Sequence, residues 1–390
     1  MKKILVIAAA ALAFAACTKS EVFAPAAAEI DFTPNALTTK ALILPDSNSP
    51  EQLAFPTGES FNVFAFADLD GTESQYVTNY GQPLMNDVNI SYQNGDWKAT
   101  PVLDPVTGEN KVYLWPATGT VDFYAYYPGT LTAVFDSLSN PKHLKLSGIS
   151  LGTAVGSQID PLVASTLGQI AKNKPKVGVV FKHITSQIAA TAYDATTTKS
   201  LRGKISIEKV VFKNMKTSGD YTEGTTVGKG AWDNINTVTN FTSFQGREVL
   251  DTLESYLSAG AFSASLDNNA AFVIVPETVV DTLTANYQAI EVTYSIAAYT
   301  INGFNYPATP SRTIEIPLYD KIFNTTNNNK IVDNTFKNGK RYVFHLGLSL
   351  DGANNEIMFA PKVEGWETED IDGITIDVIN SKDGEKATLL

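Results

Sequence analysis

The chain has 390 residues, 44% of them hydrophobic, and a formal net charge of −12. That hydrophobic share excludes a disordered chain, and the negative charge argues against nucleic acid and anionic lipid head groups as partners. A single cysteine excludes an intramolecular disulfide, so packing has to stabilise the fold.

Lys2 and Lys3 precede an apolar run, residues 4–16, that ends in small side chains. This is the layout of a secretory signal peptide, and the run is shorter than the roughly 20 apolar residues of a spanning helix. Phe14-Ala15-Ala16-Cys17 resembles a bacterial lipobox, in which the cysteine is lipidated and becomes the first residue of the mature chain. Residues 1–16 are therefore read as a lipoprotein signal peptide and Cys17 as the lipidation site. Removing residues 1–16 takes two lysines and no acid, which moves the charge from −12 to −14. Membrane attachment would then come from acyl chains such as palmitate on Cys17, since stable anchoring takes more than one chain. Residues 18–28, rich in Ala and Pro, read as a tether.

Along the body of the chain the signal is strand after strand. In "EIDFTPNALTTKALILP", residues 29–45, Ile30 and Phe32 alternate with Asp31 and Thr33, and Lys40 follows among threonines. "FNVFAFADLDG", 61–71, is apolar on both faces, as a strand buried on both sides would be. "KVYLWPATGTVDFYAYYPGT", 111–130, reads as a strand, a loop at 116–119 and a second strand with Val121, Phe123 and Ala125 on one face. The polar "IAKNKPKV", 170–177, marks a boundary, with Val177 opening the β-rich run 177–195. "EVTYSIAAYTINGFNY", 291–306, alternates and carries a hairpin turn at Asn302-Gly303. "TIEIPL", 313–318, and "RYVFHLGLSLDG", 341–352, alternate too, the latter with Tyr342, Phe344, Leu346, Leu348 and Leu350 on its core side. "NTTNNNK", 324–330, reads as a loop. The fold class is all-β, and at about 150 residues per domain the length suits two sandwiches in tandem, 41–174 and 175–390.

Catalytic and metal chemistry has no positive support. The three histidines, His143, His183 and His345, are widely separated, and no metal, nucleophile or phosphate-loop motif appears in the strand-and-helix context it needs. Glu369-Asp370 is one acidic pair among 41 acids. Carboxylates serve glycoside hydrolysis only where a cleft sets two of them about 5–10 Å apart. Trp97, Trp115, Trp232 and Trp366 are candidates for sugar stacking, although packing is the commoner use of tryptophan in a sandwich. The chain is read as non-enzymatic, without cofactor or metal.

Four segments in order, "VYLWPATGTVDFYAYYPG", "VVFKHITSQIAATAYDA", "AFVIVPET" and "NGKRYVFHLGLSL…FAPKVEGWE", together with the lipobox, resemble the fimbrillins of Bacteroidales, the lipoprotein precursors of type V pili. The resemblance implies two transthyretin-like sandwiches, export as a lipoprotein, and assembly by strand exchange. A trypsin-like protease would cut after a basic residue near the N-terminus, the first strand would leave, and a neighbouring subunit's strand would replace it. Here Lys40-Ala41 fits the cut, which makes residues 17–40 the lipidated tether and removable strand. Many relatives carry Arg at that place. Residues 373–390 are the donor-strand candidate, with Ile374, Ile376 and Val378 on one apolar edge. A tail of this kind suits a shaft or base position better than a tip. The implied partners are other fimbrillin subunits in a head-to-tail polymer and surface receptors. The implied locations are the outer membrane first and an extracellular fimbrium afterwards. Asp136, Asp251 and Asp281 each begin an Asp-Ser/Thr-Leu triplet resembling an O-glycosylation acceptor of these bacteria. The competing reading is a monomeric surface lipoprotein that binds glycan or host protein through exposed aromatics such as Tyr92, Trp97 or Trp232.

Overall fold

The computed structural model describes residues 28–36, 53–68, 83–136, 143–154, 157–171, 176–258, 261–263, 271–319, 323–326, 329–332, 334–350, 360–365, 378–379 and 388–389. These residues form strands and short 3₁₀ turns such as Lys199–Leu201. The fold is all-β, as alternation and turn chemistry predict. Asn94-Gly95 and Asn302-Gly303 each close a tight hairpin with positive φ at both positions, 51° and 97° in one and 51° and 81° in the other. A type I′ turn demands that geometry, and Asn followed by Gly meets it at little steric cost.

The first sheet takes its strands from the N-terminal half. In chain order the strands of that half are β1 (Phe32–Ala36), β2 (Leu53–Ala54), β3 (Ser60–Asp68), β4 (Met85–Gln93), β5 (Asp96–Ala99), β6 (Thr120–Tyr127), β7 (Thr132–Asp136), β8 (His143–Ser150), β9 (Leu162–Ile170) and β10 (Val177–His183). The sheet order is β10-β9-β6-β3-β4-β5-β1-β2, and β1 also pairs with β10. Following the pairings from neighbour to neighbour therefore returns to the starting strand, and the sheet closes on itself. Its interior is filled by Phe61, Val63 and Ala65 of β3, Val121, Phe123 and Ala125 of β6, and Val177, Val179 and Phe181 of β10.

Two further sheets face each other in the C-terminal half. One contains β11 (Ser186–Asp194), β16 (Ser255–Ser258), β17 (Ala261–Ser263), β18 (Ala271–Ile274), β25 (Lys340–Leu348) and β26 (Ala360–Gly365). The other runs β15-β12-β19-β22, from β12 (Ile205–Lys216), β15 (Val238–Val249), β19 (Ala289–Ile296) and β22 (Thr309–Pro317). Tyr342, Phe344, Leu346, Leu348 and Leu350 all point into the shared core, against Ile207, Phe212 and Val292. This is the face that their period of two predicts. Three hairpins lie outside these sheets: β20 (Tyr299–Ile301) with β21 (Phe304–Tyr306), β23 (Phe323–Thr326) with β24 (Asn329–Val332), and β27 (Val378–Ile379) with β28 (Thr388–Leu389).

A four-stranded sheet joins the halves. Its order is β14-β13-β8-β7, with β13 (Ser218–Thr222) and β14 (Ala231–Asp233) from the second half, β8 and β7 from the first, and the junction made where β13 is hydrogen-bonded to β8. Leu144, Leu146, Ile149 and Tyr221 of this sheet pack on Phe64, Phe66 and Tyr126, the outward side of the closed sheet. They also pack on Ala189, Val273 and Val343, the outward side of β11, β18 and β25. The run 61–71 is apolar on both faces because β3 serves two cores, one inside the closed sheet and one outside it.

Three sequence readings differ from this arrangement. Val177–His183 does not open the second half; it pairs with β1 and β9 and belongs to the closed sheet, and the chain passes to another sheet at Ser186. The polar run 170–177 thus connects two strands of one sheet. Residues 111–115 form no strand beyond a single bridge from Leu114 to Glu29, although Trp115 is fully buried. The Asn-rich stretch 324–330 lies largely in the β23–β24 hairpin.

The joining sheet holds a buried acid. Glu223 accepts hydrogen bonds from the Tyr221 hydroxyl and the Gly228 N–H, each at 2.7 Å, while burial pushes its carboxyl up from an ordinary 4.5 to about 7. Burial disfavours the charged form, so this group's stabilisation is complete below pH 4.5 and is lost as pH rises through about 7. Glu223→Gln is expected to remove on the order of 3 kcal/mol of that decline, read from urea midpoints at pH 5 and pH 8. Glu277, also raised to about 7 by burial, keeps its own decline of the same sign in the variant. Leu146→Ala should cost about 2–5 kcal/mol. Because its core is shared, differential scanning calorimetry should show the whole described fold melting in one transition; separate transitions for the halves would contradict a common core.

Candidate functional site: the seat of the first strand

β1 is a five-residue strand lying between partners distant in the sequence. It runs parallel to β10 with Phe32 opposite Val177 and Ala36 opposite Phe181, and antiparallel to β2 and to Trp97 of β5. Backbone bonds extend the seat upstream: Ile30 N–H donates to Tyr113 O at 3.0 Å, and Trp115 N–H donates to Ala28 O at 3.1 Å. Val177 N–H donates to Asp31 O at 2.8 Å. The strand also has a weak point. Pro34 brings no N–H, and its carbonyl accepts from Phe55 N–H at a long 3.4 Å.

The side chains divide by parity. Ile30, Phe32 and Pro34 are buried and Thr33 is exposed. Phe32 meets Phe61 and Phe123 edge-on, with ring centroids 6.0 and 5.8 Å apart. Phe55, Trp97 and Phe181 complete an aromatic wall around it. Full burial of Ile30 and Phe32 contributes about 1.5–3 kcal/mol each. On the outer face Lys98 Nζ lies 3.5 Å from Glu29 and 3.7 Å from Asp31, and those two carboxylates raise its pKa. Asp96 and Lys176, from the two sides of the seat, form a 2.6 Å ion pair across it; each shifts the other towards its charged form. These pairs are open to solvent and add little to stability.

Of the residues singled out in the sequence, Cys17, Lys40, Ala41, Ile374 and Ile376 lie outside the described residues. Val378 opens β27, and its backbone pairs with Leu389 in the local hairpin. Ile30 and Phe32 sit on one face, as their alternation predicts. Trp97 is 8% exposed and belongs to the core, with half-open Tyr92 packed against it, so these two do not line a binding groove. Trp115 is likewise core, Trp366 is outside the described residues, and Trp232 borders a cavity. His183 pairs with Asp160 at 2.7 Å and His345 pairs with Glu254. Among the described residues no three His, Cys, Asp or Glu side chains are placed to hold one metal ion. Sequence reasoning missed the seat itself: Val177–Phe181, Trp97 and the Asp96–Lys176 pair. The one local signal was the Asn94-Gly95 turn, which fixes the register of β5 and turns Trp97 inward.

Phe32→Ala should lower the stability of the intact chain by about 3–5 kcal/mol, whereas Lys98→Ala should cost no more than about 1 kcal/mol. Urea unfolding of both variants separates the two; equal losses would mean that apolar burial is not what holds β1.

Residues 39–366 match a family described as fimbrillin-like. The match begins after β1 and ends ahead of the C-terminal segment. Solved structures to which the chain is similar include a cell-adhesion candidate from Bacteroides uniformis, 15% identical with a TM-score of 0.45, over 87% of this chain and 99% of that one. A fimbrial protein from Bacteroides vulgatus is 15% identical with a TM-score of 0.46, over 78% and 92% of the two chains. A fimbrial assembly protein from Parabacteroides distasonis is 11% identical with a TM-score of 0.37, over 89% and 99%. No curated protein matches the chain. Since the family match runs through most of its length, the chain belongs to the fimbrillin-like family.

Proposed function

We propose that this chain is a structural subunit of a fimbria, exported as an outer-membrane lipoprotein through Cys17 and assembled when a protease releases its first strand. The observation that carries the reading is the seat of β1. A short strand near the N-terminus supplies two fully buried side chains to a sheet whose other members come from residues 53–183. Its loss would leave the backbone of Val177–Phe181 unpaired and expose an apolar slot walled by Phe61, Trp97 and Phe123. An open sheet edge over an apolar groove is a template for a strand from another chain.

The spacing of the C-terminal segment suits that slot. Ile30, Phe32 and Pro34 are inward positions two residues apart, and Ile374, Ile376 and Val378 repeat that period. A strand passed from one subunit to the next is a heterologous contact, which builds an open filament rather than a ring. Cleavage after Lys40 would separate β1 from β2 while leaving the rest of the sheet in one chain. The intact β1 holds the precursor monomeric until then, and proteolysis makes the exchange irreversible.

The test is to treat purified residues 17–390 with trypsin, sequence the new N-terminus and run the product on a non-boiled gel. The expected result is a start at Ala41 and a ladder of stable oligomers, absent from Lys40→Ala and from a chain ending at Gly373. A single cut that leaves a monomer would overturn self-assembly by strand exchange. A ladder that persists in the shortened chain would overturn the donor role of residues 374–378.

A further inference from the structure

Between β5 and residues 113–115 the chain makes an excursion that starts and ends beside the beginning of β1. β5 runs antiparallel to β1 with Trp97 opposite Phe32, so the chain leaves it in the direction of Ile30. It returns where Tyr113 O accepts Ile30 N–H and Trp115 N–H donates to Ala28 O. The excursion is a preformed hairpin. Leu103 bridges Asn110, and Asp104 N–H and Lys111 N–H donate to Glu109 O and Val102 O, both at 2.8 Å. The Asp104 carboxylate closes the tip by accepting from Val106 N–H and Thr107 N–H, at 2.8 and 3.2 Å.

The side chains of this hairpin point the wrong way for a core. Val102, Leu103 and Val112 are each more than half exposed, and Val106 at the tip is 91% exposed. Single exposed aliphatic residues are ordinary on a protein surface, but four within eleven residues of one rigid hairpin form a cluster that marks a contact. Its position says with what. Cys17 stands eleven residues upstream of Ala28, and Ala28 is bonded at the foot of the hairpin. An extended chain of that length spans at most about 40 Å, so acyl chains on Cys17 would keep the hairpin close to a bilayer.

We propose that residues 102–112 are a membrane-resting hairpin, whose aliphatic side chains settle among the head groups of the bilayer that holds Cys17. The inference rests on the lipoprotein reading of Cys17 given above. The contact is apolar because the acidic chain gains nothing from anionic head groups, and it is shallow because Asp104 and Glu109 share the hairpin. It supplies a further apolar signal to the acyl anchor and turns the start of β1 towards the membrane. A second copy of the chain is the less suitable occupant, since a stable pair buries about 800 Å² and 20–30 residues on each side.

The test uses residues 18–390, which contain no cysteine, with an N-terminal histidine tag held on phosphatidylcholine vesicles by a nickel-chelating lipid. An environment-sensitive dye is placed on Val106→Cys or, as a control, on Leu283→Cys, a position that is exposed and remote in sequence from the hairpin. On vesicles the emission at Val106→Cys should shift to the blue, and that at Leu283→Cys should not. The same shift at Leu103→Cys should be lost when Val106→Asp is added. Unshifted emission at Val106→Cys, an equal shift at Leu283→Cys, or a shift that Val106→Asp leaves intact would overturn the proposal. So would a shift that develops without vesicles as the protein is concentrated, for then a second copy covers the hairpin. The tag replaces the acyl anchor, so the dye reads the hairpin whether or not Cys17 is acylated; palmitate labelling of Cys17 in the full chain tests the lipoprotein reading by itself.

Discussion

The closing of the first sheet by β1 is the constraint on which the N-terminal half depends. β10 and β5 cannot satisfy their facing backbone groups with each other, and a five-residue strand stands between them. Without it the sheet has two edges and an uncovered aromatic wall; with it the sheet has almost no free edge. The side chains that β1 adds, Ile30 and Phe32, are the lid of a core otherwise built from residues 55–181. A strand with so few residues and a missing donor at Pro34 is held by burial more than by its ladder, which is the property the proposed exchange requires.

The rest of the molecule would keep its own packing if the proposed exchange removed β1. The third core, between the joining sheet and the outward faces of β3, β6, β11 and β25, contains no residue of the first strand. The joining sheet takes β7 and β8 from one half and β13 and β14 from the other, so the halves are welded by backbone hydrogen bonds as well as by packing. Loss of β1 strips one wall from one core and leaves two cores intact.

Much of this was legible locally. Alternation located β6, β19, β22 and β25, a run apolar on both faces located β3, and the Asn302-Gly303 pair located a hairpin, because side-chain parity and the φ demands of a tight turn are properties of a few consecutive residues. The readings that needed correction all turn on partners. "VGVVFKH" has the same pattern whether it ends one sheet or begins the next, and only its pairing with Phe32 and Leu162 decides. "KVYLW" has the composition of a strand but forms one bridge and a few isolated backbone bonds rather than a ladder, and its Trp115 is buried from a loop. Polar "NTTNNNK" folds as a hairpin because its own two arms pair with each other.

The amino-acid sequence by itself determined the all-β class, the inward parity of its clearest strands and the family to which the chain belongs. Each of these follows from residues read in order along the chain. Only the tertiary structure decided that β1 closes the first sheet, that Trp97 is core and that one sheet is shared between the halves. Those facts rest on contacts between segments tens of residues or more apart, and no local pattern specifies which of many compatible strands will be the neighbour.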